Sequence, residues 1–295
     1  MAATALNGPL DGALGAQTPW PAPAKINRFL HITGRRADGY HELQSVFQML
    51  EWGDDLYFEL REDSRILRQG GLQNLSSEED LVVRAARLLQ RHGHTELGAT
   101  IHLNKRIPVG AGLGGGSSNA ATVLCVLNRL WRLHLGDTEL SKLGLQLGAD
   151  VPVFIHGHAA WAEGVGEQLR SIEIDEPWAV LIFPDVQINT AGIFAAPELP
   201  RAHRRLPFGQ WSDASTVNVC EALVRARYPE VDAALKWLQQ HGQARMSGTG
   251  STVFSLQPTR AAASAILAQL PDGWRGQIAR CCSVSPLQQQ LLAQP

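Results

Sequence analysis

Between Pro108 and Ala121 the chain places Gly110, Gly112, Gly114, Gly115 and Gly116 within seven residues and then runs into an apolar-striped segment. Each of these glycines would cost a helix up to ~1 kcal/mol relative to alanine, so the run reads as a loop. Glycine lets a backbone turn at positive φ and come close to a ligand. The start of the following helix adds unpaired N–H groups and a partial positive charge. A loop-to-helix junction of this kind is a site for a phosphate. Whatever fold the chain adopts must contain that junction.

Three kinds of site use such a loop. Gly110, Gly112 and Gly115 fit the dinucleotide pattern G-x-G-x-x-G, but that reading also needs a strand ending in an acidic residue after the helix. Here Asp137 opens another helical pattern instead. A Walker A loop ends Gly-Lys-Ser/Thr, whereas this one ends Gly116-Ser117-Ser118 and holds no lysine. The third is Pro-x-Gly-x-Gly-Leu-Gly-x-x-Ser-Ser, which wraps a nucleoside triphosphate with backbone amides and serine hydroxyls.

The chain has 295 residues, 44% of them hydrophobic, enough for two ordinary domains with real cores. A net charge of -2 and a pI near 6.6 make no electrostatic case for nucleic acid or an anionic membrane surface. No apolar run is long enough to span a bilayer. Cys125, Cys220, Cys281 and Cys282 form no C-x-x-C pair and no zinc-spaced cluster. They read as reduced thiols in a cytoplasmic protein. Residues 1–18 lack a basic region followed by a continuous apolar one, so they read as a frayed tail rather than a signal peptide.

Along the chain, Ala24 to Thr33, Leu43 to Leu50, Leu56 to Leu60, Ala99 to Leu103, Trp178 to Phe183 and Thr252 to Leu256 have strand patterns. Helical patterns cover Glu78 to Arg91, Asp137 to Leu147, Thr216 to Arg227, Pro229 to His241 and Arg260 to Leu270. Another follows the glycine loop, with Ala120, Leu124, Leu127 and Trp131 on one face and Ser117 or Ser118 as its cap. Pro197 to Trp211 is a Pro- and Arg-rich surface loop. Strands and helices mix without strict alternation, which favours α+β. A boundary between Gly164 and Glu176 divides the chain into 19–168 and 169–295.

Pro108 to Ser118, with Ser247-Gly248-Thr249-Gly250-Ser251, resembles the signature motifs of the GHMP kinase superfamily. Further segments match one branch of it. They are Pro23 to Leu30, Asp38-Gly39-Tyr40-His41-Glu42-Leu43, Leu147 to Phe154 and Ala162 to Glu167, in the expected order. The resemblance implies a two-domain α+β fold. Its N-terminal ATP-binding domain has a ribosomal-protein-S5-like architecture, and its C-terminal domain is ferredoxin-like. It also implies direct transfer of the ATP γ-phosphoryl to a hydroxyl of a cytidine-diphosphate alcohol.

Such a transfer needs a positioned hydroxyl, a route for its proton and positive groups around the phosphoryl. An aspartate is ionised at neutral pH, so Asp150 can accept the proton. By resemblance it is the catalytic base and also contacts substrate, although an aspartate after glycine serves equally well as a cap or turn residue. Lys25 is the partner the family pairs with it, placed to stabilise a developing alkoxide. Pro108, Val109, Gly110, Ala111, Gly112, Leu113, Gly114, Gly115, Gly116, Ser117 and Ser118 would hold ATP. Asn27, Thr190, Gly248, Thr249 and Gly250 would line the substrate site. Tyr40, His41 and Phe194 correspond to the cytidine pocket, where aromatic rings stack on a pyrimidine and His41 can both donate and accept. Magnesium is expected with ATP, held mostly by phosphates and water, with no protein ligand assigned. The partners expected are small molecules only, on a monomer or weak homodimer.

Two positions depart from the family pattern: Asp80 stands where asparagine is usual, and Val219 replaces a polar residue. Rival readings are a sister kinase for mevalonate, homoserine or a sugar, and a catalytically silent nucleotide-binding regulator. Tyr40-His41 bears on the first, and Lys25 with Asp150 on the second.

Overall fold

The computed structural model describes residues 18–71, 76 and 78–293. The expected tail lies outside them, apart from Thr18. Two long strands, β1 (Trp20–Arg35) and β2 (His41–Arg61), pair antiparallel across a turn at residues 36–40. The sequence suggests two strands where β2 is one. Gly53 is what makes it continuous: a Cβ there would lie 2.1 Å from the Ala22 carbonyl oxygen, so only glycine lets β1 pass this close.

The chain continues through β3 (Ile66–Gly70), α1 (Leu81–His92), β4 (Gly98–Asn104), α2 (Gly115–Leu130), α3 (Asp137–Leu147) and α4 (Val151–His156). Then come β5 (Ala160–Glu163), β6 (Gln168–Ser171), β7 (Trp178–Phe183), α5 (Thr190–Ala195), α6 (Glu221–Arg227) and α7 (Pro229–Gln239). It closes with β8 (Ala244–Met246), β9 (Val253–Gln257), α8 (Arg260–Leu267), β10 (Arg275–Cys282) and α9 (Pro286–Ala293). The sheet order is β3-β4-β2-β10-β7-β9-β8, with β1 and β5 also on β2. β10 joins the two halves, pairing along β7 and, through Cys281 and Cys282, with β2.

One core packs α1 to α4 against β2 and β4, and a second packs α6, α7 and α8 against β7, β8 and β9. β1 threads both. Trp20 and Ala22 belong to the first core, Leu30 and Ile32 to the second, and Ala24 and Ile26 to a cluster between them with Ala111, Leu113 and Phe254. α9 returns to the first core through Leu287.

Two local expectations are corrected. α2 does not start at a serine cap: it begins at Gly115, with Gly114 as the N-cap at φ 72° and no side-chain cap bond. The stretch 216–218 is extended rather than helical, and 219–220 turn into α6. Its β-branched residues run beside β1, with Leu30 N–H donating to Val217 O and Val219 N–H to Leu30 O. Val219 is buried in the second core, which accounts for its apolar character. Asp80 caps α1, accepting from Val82 N–H, and pairs with Arg68.

All four cysteines are buried and unpaired. Burial pushes the thiols of Cys125, Cys220 and Cys281 up to about 12 and raises Cys282 as well. Only a thiolate attacks, so a water-soluble disulfide reagent at mildly alkaline pH should modify no cysteine until the protein is unfolded. A thiol that titrates in the native state would contradict this.

Candidate active site

The period of two along β1 sends Ala24 and Ile26 into the junction cluster and turns Lys25 and Asn27 to the opposite face. Both are nearly fully buried there. Lys25 Nζ donates to Asn27 Oδ1 at 2.6 Å and to the Gly112 carbonyl at 3.3 Å, and stands 3.4 Å from Asp150 Oδ2. Asn27 is held on its other side by Nδ2 donating to Ser45 Oγ at 2.8 Å. Its amide is therefore fixed in orientation by a donor on one side and an acceptor on the other.

The glycine loop leaves β4 and wraps back over this group. Gly112 sits at φ 73°, and a Cβ on it would lie 2.2 Å from the Ser247 carbonyl oxygen, so no other residue fits. Its own carbonyl accepts from Ser247 Oγ at 2.9 Å as well as from Lys25. Gly114, also at positive φ, leaves room for the Phe154 ring, which a Cβ would approach at 2.7 Å. Because α2 has no side-chain cap and no acid in its first turn, the amides of Gly115, Gly116 and Ser117 stay open toward the cleft.

Asp150 is the N-cap residue of α4, yet it makes no capping bond. Its carboxylate turns to Lys25, with about a third of its surface open to the cleft. The residue type is that of a cap and the geometry is not. Thr190 Oγ1 and Thr249 Oγ1 lie 2.9 Å apart at the other wall. Asn218 Nδ2 holds that wall in place, donating to Met246 O at 2.8 Å and Gly248 O at 2.7 Å.

A cleft of about 460 Å³ collects Lys25, Asn27, Asp150, residues 108–117, Thr190, Phe194, Gly248 and Thr249. Two other surface depressions, along α1 and α3, contain none of them. Ser118 is set behind the loop, fully buried, with an Oγ that has no hydrogen-bond partner among the described residues. Gly250 also lies behind the wall, where a Cβ would meet Ile188 and Met246 at 2.9 Å. His41 stacks on Phe194 with centroids 5.2 Å apart. Burial, then the charges of Arg201 and Arg35, hold the His41 pKa below the usual imidazole value. Tyr40, next to His41 in the chain, is 62% exposed and in ring contact with none of the described residues; neither Tyr40 nor His41 is among the residues that line the cleft.

Sequence reasoning misses Lys105 and Asp54. Lys105 lines the cleft, and a Cβ on Gly115 would lie 2.8 Å from its Nζ, so a cation stands at the N-terminus of α2 after all. It comes from the end of β4 rather than from inside the loop. The fully buried Asp54 carboxylate holds it and also accepts from Arg106 N–H at 2.6 Å, Ile107 N–H at 2.8 Å and Asn119 Nδ2 at 2.8 Å. The signal was a lysine directly after a strand and three residues ahead of Pro108.

Asp54→Ala leaves those donors without their acceptor, and removing one partner of a buried pair costs about 3–5 kcal/mol. Chemical unfolding should show a loss of that order, and an unchanged midpoint would mean that Asp54 is not what anchors the loop.

Family models match the chain in two places: GHMP kinases N terminal domain over residues 80–158 and GHMP kinases C terminal over 195–276. A curated 4-diphosphocytidyl-2-C-methyl-D-erythritol kinase from Halorhodospira halophila is 50% identical over 271 residues, covering 91% of this chain and 94% of its own. One from Alkalilimnicola ehrlichii is 52% identical over 268 residues, covering 91% and 92%. A crystal structure of a 4-(cytidine 5'-diphospho)-2C-methyl-D-erythritol kinase superposes with a TM-score of 0.76 at 34% identity, over 90% of this chain and 99% of that one. A mevalonate kinase structure, at 14% identity and a TM-score of 0.64 over 91% and 100%, shares the fold.

Proposed function

The chain belongs to the 4-diphosphocytidyl-2-C-methyl-D-erythritol kinases of the GHMP kinase family, and from that premise we propose how its cleft works. The reaction moves the γ-phosphoryl of ATP to the 2-hydroxyl of 4-diphosphocytidyl-2-C-methyl-D-erythritol, giving the 2-phosphate and ADP, in the non-mevalonate route to isoprenoid precursors. The transfer is direct. The bond from the γ-phosphorus to the β–γ bridging oxygen breaks as the bond to the substrate oxygen forms, and the hydroxyl proton goes to Asp150.

One observation carries this reading: the Lys25–Asp150 pair, 3.4 Å apart, faces the same cleft as the open amides of α2. Asp150 takes the proton because its carboxylate is not spent on capping α4. Lys25 is held by Asn27 and Gly112, so its charge is in place before the alkoxide develops. The amides of Gly115, Gly116 and Ser117, with Lys105, receive the triphosphate. Thr190, Thr249 and Gly248 bound the acceptor side, while Ser118 and Gly250 support the walls from behind.

A magnesium ion would fit here as phosphate-bound cargo of ATP, because the Ser117 hydroxyl is the uncommitted hard oxygen at the α2 terminus and Asp150 is engaged by Lys25. When bound it neutralises phosphate charge. Among the described residues no group of three or more His, Cys, Asp or Glu side chains is placed to hold a metal ion.

The His41–Phe194 stack, with the exposed Tyr40 next to His41 in the chain, supports a pyrimidine substrate over mevalonate, homoserine or a sugar. We propose the division into 19–168 and 169–295; in its support most of the first core comes from the N-terminal part and most of the second from the C-terminal part, although Leu30 and Ile32 join the second core and Cys282 and Leu287 the first. We read the enzyme as a cytoplasmic monomer or weak homodimer. Among the described residues no helix is long and apolar enough to cross a membrane.

A coupled ADP-release assay should show turnover with the cytidine-diphosphate substrate and none with mevalonate or homoserine; turnover of only the latter two would sink the reading. Asp150→Asn should lower kcat by roughly 10²–10⁴, the range of general-base catalysis. A folded variant with near-normal kcat would remove Asp150 from that role.

A further inference from the structure

The loop between α5 and α6 turns one of its arginines inward. Arg201 donates through Nε to His41 Nε2 at 3.0 Å. Its Nη2 donates to the carbonyls of Phe194 at 2.9 Å and Ala196 at 2.6 Å, and its Nη1 to those of Leu199 at 3.1 Å and Pro197 at 3.5 Å. One side chain thus grips both members of the aromatic stack, His41 by its ring and Phe194 by its backbone.

A guanidinium has only donors. His41 Nε2 must therefore be the acceptor, and the proton of the neutral ring sits on Nδ1. Among the described residues Nδ1 has no hydrogen-bond partner. The charged groups around the ring are Arg201 on the loop and Arg35 opposite it on β1, while the neighbouring Glu42 is engaged by Arg205. Among the described residues two cations and no free carboxylate face the imidazole, so a second proton on Nε2 is opposed from β1 and from the loop.

We propose that Arg201 is a positioning residue for base recognition: it locks His41 in the tautomer that presents Nδ1–H to an acceptor on the cytosine edge. This rests on the reading that the cleft takes a cytidine-bearing substrate. Cytosine offers a ring nitrogen and a carbonyl oxygen as acceptors, and the His41–Phe194 stack sets the plane in which they are met. Without Arg201 the proton can move to Nε2, and Nδ1 becomes a second acceptor facing acceptors.

The test is steady-state kinetics of the wild type, Arg201→Gln and Arg201→Lys across pH. The wild type must first turn over the cytidine substrate; if it does not, the underlying reading fails, not this one. Arg201→Gln should raise the KM for the cytidine substrate about tenfold at pH near 8, the scale of one lost hydrogen bond, with kcat and the KM for ATP within about twofold. As the pH falls below the ordinary imidazole value, beneath which burial and Arg35 still hold the His41 ring, protonation puts a hydrogen back on Nδ1, and that KM should recover toward the wild-type value. Arg201→Lys, which keeps a donor toward Nε2, should show a smaller rise. Equal rises in both KM values, a rise that does not change with pH, or no rise at all would each overturn the proposal. If Arg201→Gln does not fold, long-range ¹⁵N–¹H spectra of the wild type decide it. The His41 signals, assigned by their loss in His41→Gln, must show Nδ1 protonated and Nε2 bare; the opposite tautomer overturns it.

Discussion

A buried ammonium sets the terms for this molecule. Lys25 is nearly out of contact with water, and a cation in that position is tolerated only if several oxygens surround it. Three do: the Asn27 amide on the same strand, the Gly112 carbonyl from the glycine loop and the Asp150 carboxylate from the start of α4. Three separate segments are thus brought together by one charge. Each of the three oxygens belongs to an element with its own reason to be there. The strand alternation presents Asn27, the positive φ of Gly112 brings its backbone close, and α4 begins without using its own capping carboxylate.

The site lies where the two cores meet because β1 belongs to both. A strand shared by two cores cannot slide against either, so side chains projecting from its middle are fixed in space. Ser247 then ties the second half to the loop, its Oγ accepting from the Asn27 backbone N–H and donating to Gly112 O. Asp54 ties the loop to the first half through Arg106, Ile107, Asn119 and Lys105. The phosphate-binding amides and the acid–base pair therefore rest on the same scaffold. Phosphoryl transfer needs positioning and charge rather than covalent participation by the protein, and this arrangement supplies both.

Much of this was legible in the sequence where local chemistry decides the outcome. The glycine run, the helix that follows it, the helix α3 over Asp137–Leu147 and the strand at Trp178–Phe183 follow from composition and period. The pairing of Lys25 with Asp150 was legible only through resemblance, since 125 positions separate Lys25 and Asp150 and no periodicity links them. Long-range contacts decide what was missed. Thr216 to Asn218 has a pattern that suits a helix, but pairing with β1 draws it out. β10 has little alternation, and its strand character comes from the neighbours β7 and β2. Lys105 and Arg201 look like surface cations until the fold turns one toward the α2 terminus and the other onto His41.

The claim that Lys25 and Asp150 work as one unit is tested most directly by a double-mutant cycle on kcat with Lys25→Met, Asp150→Asn and the pair combined. Residues acting on the same proton transfer lose their effect together, so the double variant should be about as slow as the slower single one. If the two effects instead multiply, lysine and aspartate contribute independently and the account of the site built around their pairing is wrong.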